Sequence, residues 1–231
     1  MATYDLEQQE QLDQVKQFWK QYGNLITWVL VLALGAYAAW TGYLYWQQQR
    51  AQGAGGLYEA LDRAASTDDA AKVAQAFSDL RDKFAGTTFS EQGALLAAKV
   101  AVDHHQRDAA LADLHWLVDH GKNANLVAIG RLRLAGVLMD GKQYDEALTA
   151  LEAKLPPEYA PLVDDRRGDI LMAQGNTKEA IQAYQSAWQQ MPASLEYRRF
   201  IEGKLTALGH APTPAWGGSG PAEAAASGAQ P

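Results

Sequence analysis

The amino-acid sequence predicts an all-α fold in which one N-terminal transmembrane helix is followed by a solenoid of helical hairpins. Three observations predict it. The segment from Leu25 to Trp46 carries no charge. The rest of the chain is rich in alanine, sparse in Val and Ile, and contains no run that alternates like a strand. Two segments in its second half match each other at a constant spacing, as stacked repeats do.

Composition limits the possible functions. The chain has 231 residues, a net charge of -7 and no cysteine. It is long enough for one sizeable core. The absence of cysteine excludes disulfides, thiolate catalysis and cysteine-ligated zinc or iron-sulfur sites. After Trp46 there are 18 basic and 23 acidic residues, so no basic field indicates nucleic-acid binding.

The first element is the segment 1–24. Its apolar residues recur at helical spacing at Leu12, Val15, Trp19 and Tyr22, with lysines opposite. This pattern is typical of an amphipathic helix that lies on a membrane surface. A plain helical extension of the following segment explains it equally well.

The second element, 25–46, is predicted to span the membrane. A helix of this length matches a hydrocarbon core about 30 Å thick. Aromatic residues, which favour the headgroup level, stand at both of its ends: Trp19, Tyr22 and Trp28, then Trp40, Tyr43, Tyr45 and Trp46. A cleaved signal peptide has a shorter apolar region and a small-residue cleavage site, and a buried core helix has no need of two aromatic ends.

Small residues form one stripe of this helix: Gly35, Ala38, Ala39 and Gly42. Such a stripe lets another transmembrane helix approach closely, so we expect a helix contact there. Glycine and alanine are also common in membrane helices without any such role.

The orientation depends on the basic residues that flank the span. Lys16 and Lys20 precede it, whereas Arg50 and the more distant Arg63 follow it. This slight asymmetry favours a cytoplasmic N-terminus, with the large domain on the other side of the membrane.

Three further segments follow the span. Residues 47–56 are polar and glycine-rich and are predicted to be a tether. The helical domain is predicted over 57–208. The segment 209–231 is rich in Ala, Gly and Pro and is predicted to be disordered, with Trp216 as either a docking residue or a chance aromatic.

The internal repeats define the helical domain. Four pairs of residues match at one constant spacing, which we call the repeat spacing: Ala135 with Gly168, Leu138 with Leu171, Ala147 with Ala180, and Leu151 with Tyr184. Small residues at such positions let two helices of a hairpin touch, while large ones wedge between hairpins. The second copy continues through Gly175, Ala187 and Pro192. In the first copy Lys154 stands where alanine is expected.

Two less regular units precede these copies. One contains Ala98, Ala110, Leu114 and Leu117 at the same internal spacings. The other, between Leu57 and Phe84, has no recognisable repeat signature and is interpreted as a cap, because terminal repeats are atypical.

The second copy resembles the tetratricopeptide repeat, whose period is about 34 residues. By analogy with that pattern, the concave groove of the array is predicted to be lined by Ile129, Leu132, Gly136, Met139, Leu162, Asp165, Asp169 and Met172. Methionine suits an adaptable binding surface. Core packing explains the apolar members of this set equally well.

Catalytic patterns are missing from the sequence. The five histidines form no metal-binding spacing, and the glycine clusters match no phosphate loop. The run Asp164–Arg167 is interpreted as charge pairing on a solvated face. We therefore expect no enzyme activity, metal or cofactor.

Four features follow one another along the chain: the stretch "DQVKQFWKQYGNLI", a single span ending in "YLYW", a tether and a degenerate repeat domain. In this order they resemble the YfgM family of ancillary SecYEG translocon subunits. The resemblance covers residues 10 to 208. It implies a bacterial inner-membrane protein with a cytoplasmic N-terminus and a periplasmic repeat domain. It also implies that the partners are the SecYEG translocon, a PpiD-type periplasmic chaperone and exported client proteins.

The sequence thus favours a membrane-anchored adaptor that assists transfer of exported proteins to periplasmic chaperones. A different class of function also fits the anchor and the repeats. In that alternative the repeat domain faces the cytoplasm and sequesters a signalling protein.

Overall fold

The structure, a computed structural model, describes residues 3–212, with side chains from residue 16 onward except residue 18. Residues 213–231, which make up most of the predicted disordered tail and include Trp216, lie outside the described residues. So do several side chains of the predicted amphipathic pattern. The described part contains nine α-helices: α1 Thr3–Ser66, α2 Ala70–Phe84, α3 Thr88–Asp103, α4 Arg107–His120, α5 Ala124–Asp140, α6 Tyr144–Leu151, α7 Ala160–Ala173, α8 Thr177–Gln190 and α9 Tyr197–Ala207. A short 3₁₀ helix, Pro157–Tyr159, precedes α7.

The chain divides into two compact units, Met1–Gly53 and Ala54–Pro231. The first unit contains the apolar part of α1, and this helix is long and apolar enough to cross a membrane. Its apolar 18-residue stretch has a mean hydropathy of 1.7, and none of that stretch is buried. The hydroxyls of Thr27 and Thr41 donate to the carbonyls of Gly23 and Tyr37 at 2.8 and 3.0 Å. These polar groups are therefore satisfied within the helix, as a hydrocarbon environment requires.

The structure differs from the sequence prediction at the tether. Residues 47–56, predicted as a tether, are regular helix within α1. The Gln, Arg and Ala residues at the start of this stretch favour helix. Ala54 is fully buried, and a Cβ on Gly55 would lie 3.7 Å from the Phe89 ring. Packing of this turn against α3 offsets the low helix propensity of its glycines, and the second unit begins at Ala54, before the predicted start at Leu57.

The second unit is an array of helical hairpins that all turn in the same way. Each hairpin places one residue in the left-handed region: Asp68 at φ 57°, His105 at 58°, Lys142 at 61° and Gly175 at 85°. The amide of the next residue donates to the carbonyl five positions back, at distances between 2.7 and 3.1 Å. These bonds satisfy the last carbonyls of the first helix in each hairpin. The hairpins are α1 with α2, α3 with α4, α5 with α6, and α7 with α8.

The spacing of these turns explains the uneven repeat pattern. The separation from Asp68 to His105 equals that from His105 to Lys142, whereas the separation from Lys142 to Gly175 is shorter. A search at one fixed period therefore matches only the last two hairpins well. The segment interpreted as a cap is a full hairpin of the same design, with the larger Leu61 where the matched copies have alanine or glycine.

Small residues bring the paired helices together as the sequence predicts. A Cβ on Gly168 of α7 would lie 2.5 Å from the Tyr184 ring of α8, too close for any side chain. Ala135, Ala147 and Ala180 are fully buried. The shortened α6 explains why Lys154 breaks the pattern, because that residue lies beyond the end of the helix at Leu151.

Two apolar clusters form the interior. The first core cluster runs from the end of α1 to α7 and includes Leu61, Phe77, Leu95, Leu114, Leu117, Leu134, Leu138, Leu151 and Ile170. The second core cluster joins α8 to α9 and consists of Ala180, Tyr184, Ala187, Met191, Ile201 and Leu205. The array is therefore continuous up to α7 and is completed by a separate packing of α9.

Candidate functional site

The first helices of successive hairpins, α3, α5 and α7, pack beside one another. A cleft of about 280 Å³ opens between α3 and α5. We call it the α3–α5 cleft. It is lined by Ala98, Lys99, Val102 and Asp103 of α3, Leu114 of α4, Arg133, Gly136, Val137 and Asp140 of α5, and Arg166 of α7.

Charged groups surround the cleft, and they differ in how they are paired. Lys99 and Asp103 form an ion pair at 2.7 Å on α3. Arg133 donates from Nη1 to the Leu95 carbonyl at 2.9 Å. Arg166 approaches the Asp169 carboxylate only to 3.9 Å, which is longer than a hydrogen bond. The two arginines therefore bring cationic groups to the cleft that are only partly engaged within the described part of the chain.

Gly136 keeps the cleft open at its centre. A Cβ at this position would meet only the Arg166 guanidinium, with Nη1 at 3.6 Å and Cζ at 3.7 Å. A polypeptide backbone can therefore come close to α5 here, which a larger residue would prevent.

On α5, the predicted groove residues divide into two groups. Gly136 lines the α3–α5 cleft. Ile129, Leu132 and Met139 are half-buried and pack on the first core cluster. The residues that line the cleft instead are Arg133 and Asp140, each one position after a predicted residue. One position corresponds to a rotation of about 100° on a helix, so the cleft lies beside the predicted groove positions of α5, whose role in binding stays a prediction.

On α7, the predicted groove residues are covered by the two helices that follow, α8 and α9. Leu162 and Met172 pack on the second core cluster. Asp165 is only 2% exposed, and its carboxylate accepts hydrogen bonds from the Tyr197 hydroxyl at 2.7 Å and the Lys204 ammonium at 2.8 Å. Both donors belong to α9. The expectation of a solvated face at Asp164–Arg167 is therefore wrong for Asp165, although Asp164 and Arg167 do pair at 2.8 Å.

Asp169 completes a polar network with α9. Its Oδ1 accepts from Lys204 at 2.6 Å and from the Tyr184 hydroxyl at 2.8 Å. Burial and the hydrogen bond to Asp169 raise the pKa of Tyr184, so its hydroxyl stays a donor. Burial and the bond to Asp165 raise the pKa of Tyr197 in the same way. Tyr184 of α8 and two residues of α9, Tyr197 and Lys204, thus bind both carboxylates of α7.

The predicted transmembrane stripe lies on an open face of α1. Gly35, Ala38, Ala39 and Gly42 are all exposed. A Cβ on either glycine would meet nothing within 4 Å. The face is therefore geometrically available to a close helix partner.

Arg133 and Arg166 are not among the residues predicted to line the groove. The two arginines are separated by the repeat spacing, as are the matched Ala135 and Gly168. A search of the repeat alignment for charged pairs as well as for small and apolar ones would have found them.

The profile of the tetratricopeptide repeat-like domain family matches residues 16–210. The hairpin array and this match place the chain in the tetratricopeptide repeat-like class, and the described residues include one helix that is long and apolar enough to span a membrane.

Three relatives identify the family within that class. Each bears the name ancillary SecYEG translocon subunit. The protein of Neisseria gonorrhoeae is 30% identical over 212 residues, 90% of this chain and 100% of the relative. The Escherichia coli protein is 29% identical over 192 residues, 82% of this chain and 88% of the relative. The Haemophilus influenzae protein is 28% identical over 199 residues, 84% and 94% of the two chains. The chain belongs to this family, the YfgM family of ancillary SecYEG translocon subunits.

Proposed function

We propose that this protein is a non-enzymatic, membrane-anchored adaptor that associates with the SecYEG translocon and binds other polypeptides through its repeat domain. The observation that carries the proposal is the alignment with the gonococcal ancillary SecYEG translocon subunit, which extends over the whole length of that relative. The alignment includes the apolar helix as well as the hairpin array, so it supports both the anchor and the adaptor.

Tethering is the mechanism that this arrangement supports. A binding surface joined covalently to an anchor beside the channel meets emerging polypeptides at a high effective concentration. Weak contacts in the α3–α5 cleft are then sufficient for capture and for release to a following chaperone. In this proposal the exposed Gly35 to Gly42 stripe contacts a transmembrane helix of the translocon.

The repeat domain is proposed to lie in the periplasm, where its partners are exported clients and a chaperone of the PpiD type. The flanking charges support this orientation, because Lys16 and Lys20 precede the span. After the span, the Arg50 guanidinium lies 4.8 Å from the centre of the Trp46 ring. An arginine stacked on an aromatic residue suits a membrane-water interface.

Photo-crosslinking within the membrane tests the association. A photoreactive residue at Gly42 should crosslink to a translocon subunit in native membranes, whereas the same residue at Leu44, on the opposite side of the helix, should crosslink much less. Equal yields at the two positions would reject the proposed contact face. Failure of the translocon subunits to co-purify with the protein from solubilised membranes would reject the association itself.

Thiol labelling tests the orientation, since the chain has no native cysteine. Gln185 of α8 is exposed, so Gln185→Cys should react with a membrane-impermeant reagent added to intact spheroplasts. Gln17→Cys, on the other side of the span, should react only after lysis. The reverse pattern would place the repeat domain in the cytoplasm and favour the tethered regulator.

A further inference from the structure

We propose that the α3–α5 cleft recognises an acidic side chain within an extended polypeptide segment, and that Arg133 and Arg166 form the anion-binding pair. The inference rests on the proposed function and names the chemistry of the partner that the repeat domain binds.

The first observation is the incomplete pairing of the two guanidinium groups. Arg133 uses Nη1 for the Leu95 carbonyl. Arg166 has its nearest carboxylate, that of Asp169, at 3.9 Å, and Oδ1 of that carboxylate already accepts from Lys204 and Tyr184. Within the described part of the chain, neither guanidinium forms a hydrogen bond to a carboxylate. A carboxylate is the partner that the planar donor fork of arginine fits best.

The second observation is the space between them. Both arginines line the same cleft, and the open position of Gly136 lies beside the Arg166 guanidinium at 3.6 Å. A ligand carboxylate placed over Gly136 therefore reaches the arginine without displacing a side chain. The neighbouring Lys99 is neutralised by Asp103 at 2.7 Å, which leaves the arginine pair as the cationic centre of the cleft.

The third observation favours an internal acidic residue over a chain terminus. A second pocket adjoins the cleft and shares Val102, Val137 and Asp140 with it. The groove therefore continues beyond the arginines, and a bound chain can run through it. Val102 is 41% exposed, so an apolar residue next to the acidic one has a surface on which to pack. The second pocket also contains Arg107, but that guanidinium donates to the Val137 carbonyl and to the Gln143 side chain. Asp140 repels an acidic side chain from the shared part of the groove and so favours its placement at Arg133 and Arg166.

Peptide titration of the full-length protein in detergent micelles tests the inference. The probe is a short fluorescent peptide, acetylated and amidated, with one central Glu flanked by Val, and its match carries Gln instead. We expect the Glu peptide to bind about tenfold more tightly, because hydrogen bonds to a charged group are stronger than those between neutral groups. Arg166→Gln and Arg133→Gln should each abolish most of this preference without altering the circular dichroism spectrum.

Arg199→Gln is the matched control. Arg199 follows Arg166 at the repeat spacing and lines an open face of α9 away from the cleft, so its removal should leave the preference unchanged. Arg166→Glu should reverse the preference in favour of a peptide with a central Lys. Gly136→Leu should weaken binding of both peptides by filling the cleft.

Three results would overturn the inference: equal binding of the Glu and Gln peptides, loss of the preference in Arg199→Gln as well, or tight binding only of a peptide with a free terminal carboxylate. Co-purification with SecYEG is measured for each variant in parallel. If it persists without any peptide preference, the inference fails while the proposed function stands. If the peptide preference is present but wild-type protein does not co-purify, the proposed function fails instead.

Discussion

Helices α5 and α7 occupy the same place in successive hairpins, yet the equivalent position is open to a cleft in α5 and bonded to other helices in α7. At the centre of α5, Gly136 leaves a cleft open to solvent. The equivalent residue of the next repeat, Asp169, is bound by Lys204 and Tyr184. Leu132 packs on an apolar core, whereas its counterpart Asp165 is bonded to α9.

The difference shows how one repeat pattern serves two purposes. An array of stacked hairpins presents the same face repeatedly, and each repeat can either keep that face open for a partner or use it within the chain. Here α5 keeps it open and α7 uses it to bind α9. The sequence pattern alone predicts one groove over both helices, and the chemistry of residues 165 and 169 decides where the groove ends.

Removal of Lys204 should have the largest effect on stability, because it disrupts the polar network that joins α7 to α9. The Lys204→Met variant leaves Asp165 buried without its cation, which should lower the free energy of unfolding by about 3 kcal/mol. Urea unfolding followed by circular dichroism measures the change. Lys178→Met, at an exposed position of α8, is the control and should alter stability by less than about 0.5 kcal/mol. Equal losses in the two variants would contradict the role of the network.

A pair of glycine substitutions should sharpen the comparison. Gly168→Ala drives a Cβ to 2.5 Å from the Tyr184 ring and should cost about 2 kcal/mol of stability. Gly136→Ala places its Cβ in ordinary van der Waals contact with the Arg166 guanidinium, at 3.6 Å, and should be neutral or stabilising by about 0.5 kcal/mol, because alanine favours helix. Thermal unfolding of the two variants measures the difference. Similar melting temperatures would show that α7 and α8 are less tightly packed than described.

On the open side, Glu91 supports the position of α5. This carboxylate is 1% exposed and accepts the backbone amides of Lys122 and Asn123 at 2.7 and 3.3 Å, just before α5 begins. Glu91→Ala leaves both amides without that acceptor and should lower the free energy of unfolding by about 1.5 kcal/mol. Glu91→Gln, which retains one side-chain oxygen as an acceptor, should lower the free energy of unfolding by less. Hydrogen exchange of the Lys122 amide reports the loss directly, and unchanged protection in Glu91→Ala would refute this role.

The smallest expected effect is a dependence on pH in the first hairpins. Burial raises the pKa of Asp113 from 3.8 to about 6, and the nearby Arg81 opposes this rise. Because the folded state holds this proton more tightly than the unfolded state, the contribution of Asp113 to stability falls as the pH rises from about 4 to about 6.

Asp113→Asn removes this titration. The variant should be more stable than the wild type by about 1 kcal/mol at neutral pH, after allowance for partial exposure of the carboxyl group, and the difference should vanish near pH 4. Unfolding measured across this range gives the difference curve. A difference independent of pH would show that the Asp113 carboxyl is not shifted.

Much of this fold could be predicted from the sequence. Glycine, proline and asparagine mark the ends of the helices because they disfavour the helix interior or cap it. Ala135 and Gly168 mark the hairpin contacts because only small residues fit there. The first hairpin could not be identified as a repeat because Leu61 replaces a small residue. The turns of the first three hairpins also lack a glycine signal, since their left-handed positions are Asp68, His105 and Lys142.

The candidate site was harder to predict, since it depends on contacts between distant residues. Lys204 lies 35 residues after Asp169, and no local pattern connects the two. The α5 residues that line the cleft lie one position from the predicted groove residues Leu132 and Met139, which pack on the first core cluster. Residues 47–56 are helical, and the full burial of Ala54 within this helix is not evident from helix propensity.

The closure of the array by α9 also bears on assembly. Proteins built from stacked hairpins can polymerise when the last unit of one copy accepts the first unit of another, and confinement to a membrane surface favours such association. In this chain the acceptor carboxylates Asp165 and Asp169 are already occupied by Lys204. The face of α9 away from the cleft carries Arg199 and Glu202, while Phe200 of the same helix is 60% exposed. The first hairpin of another copy could therefore reach these carboxylates of α7 only if Lys204 were displaced from them.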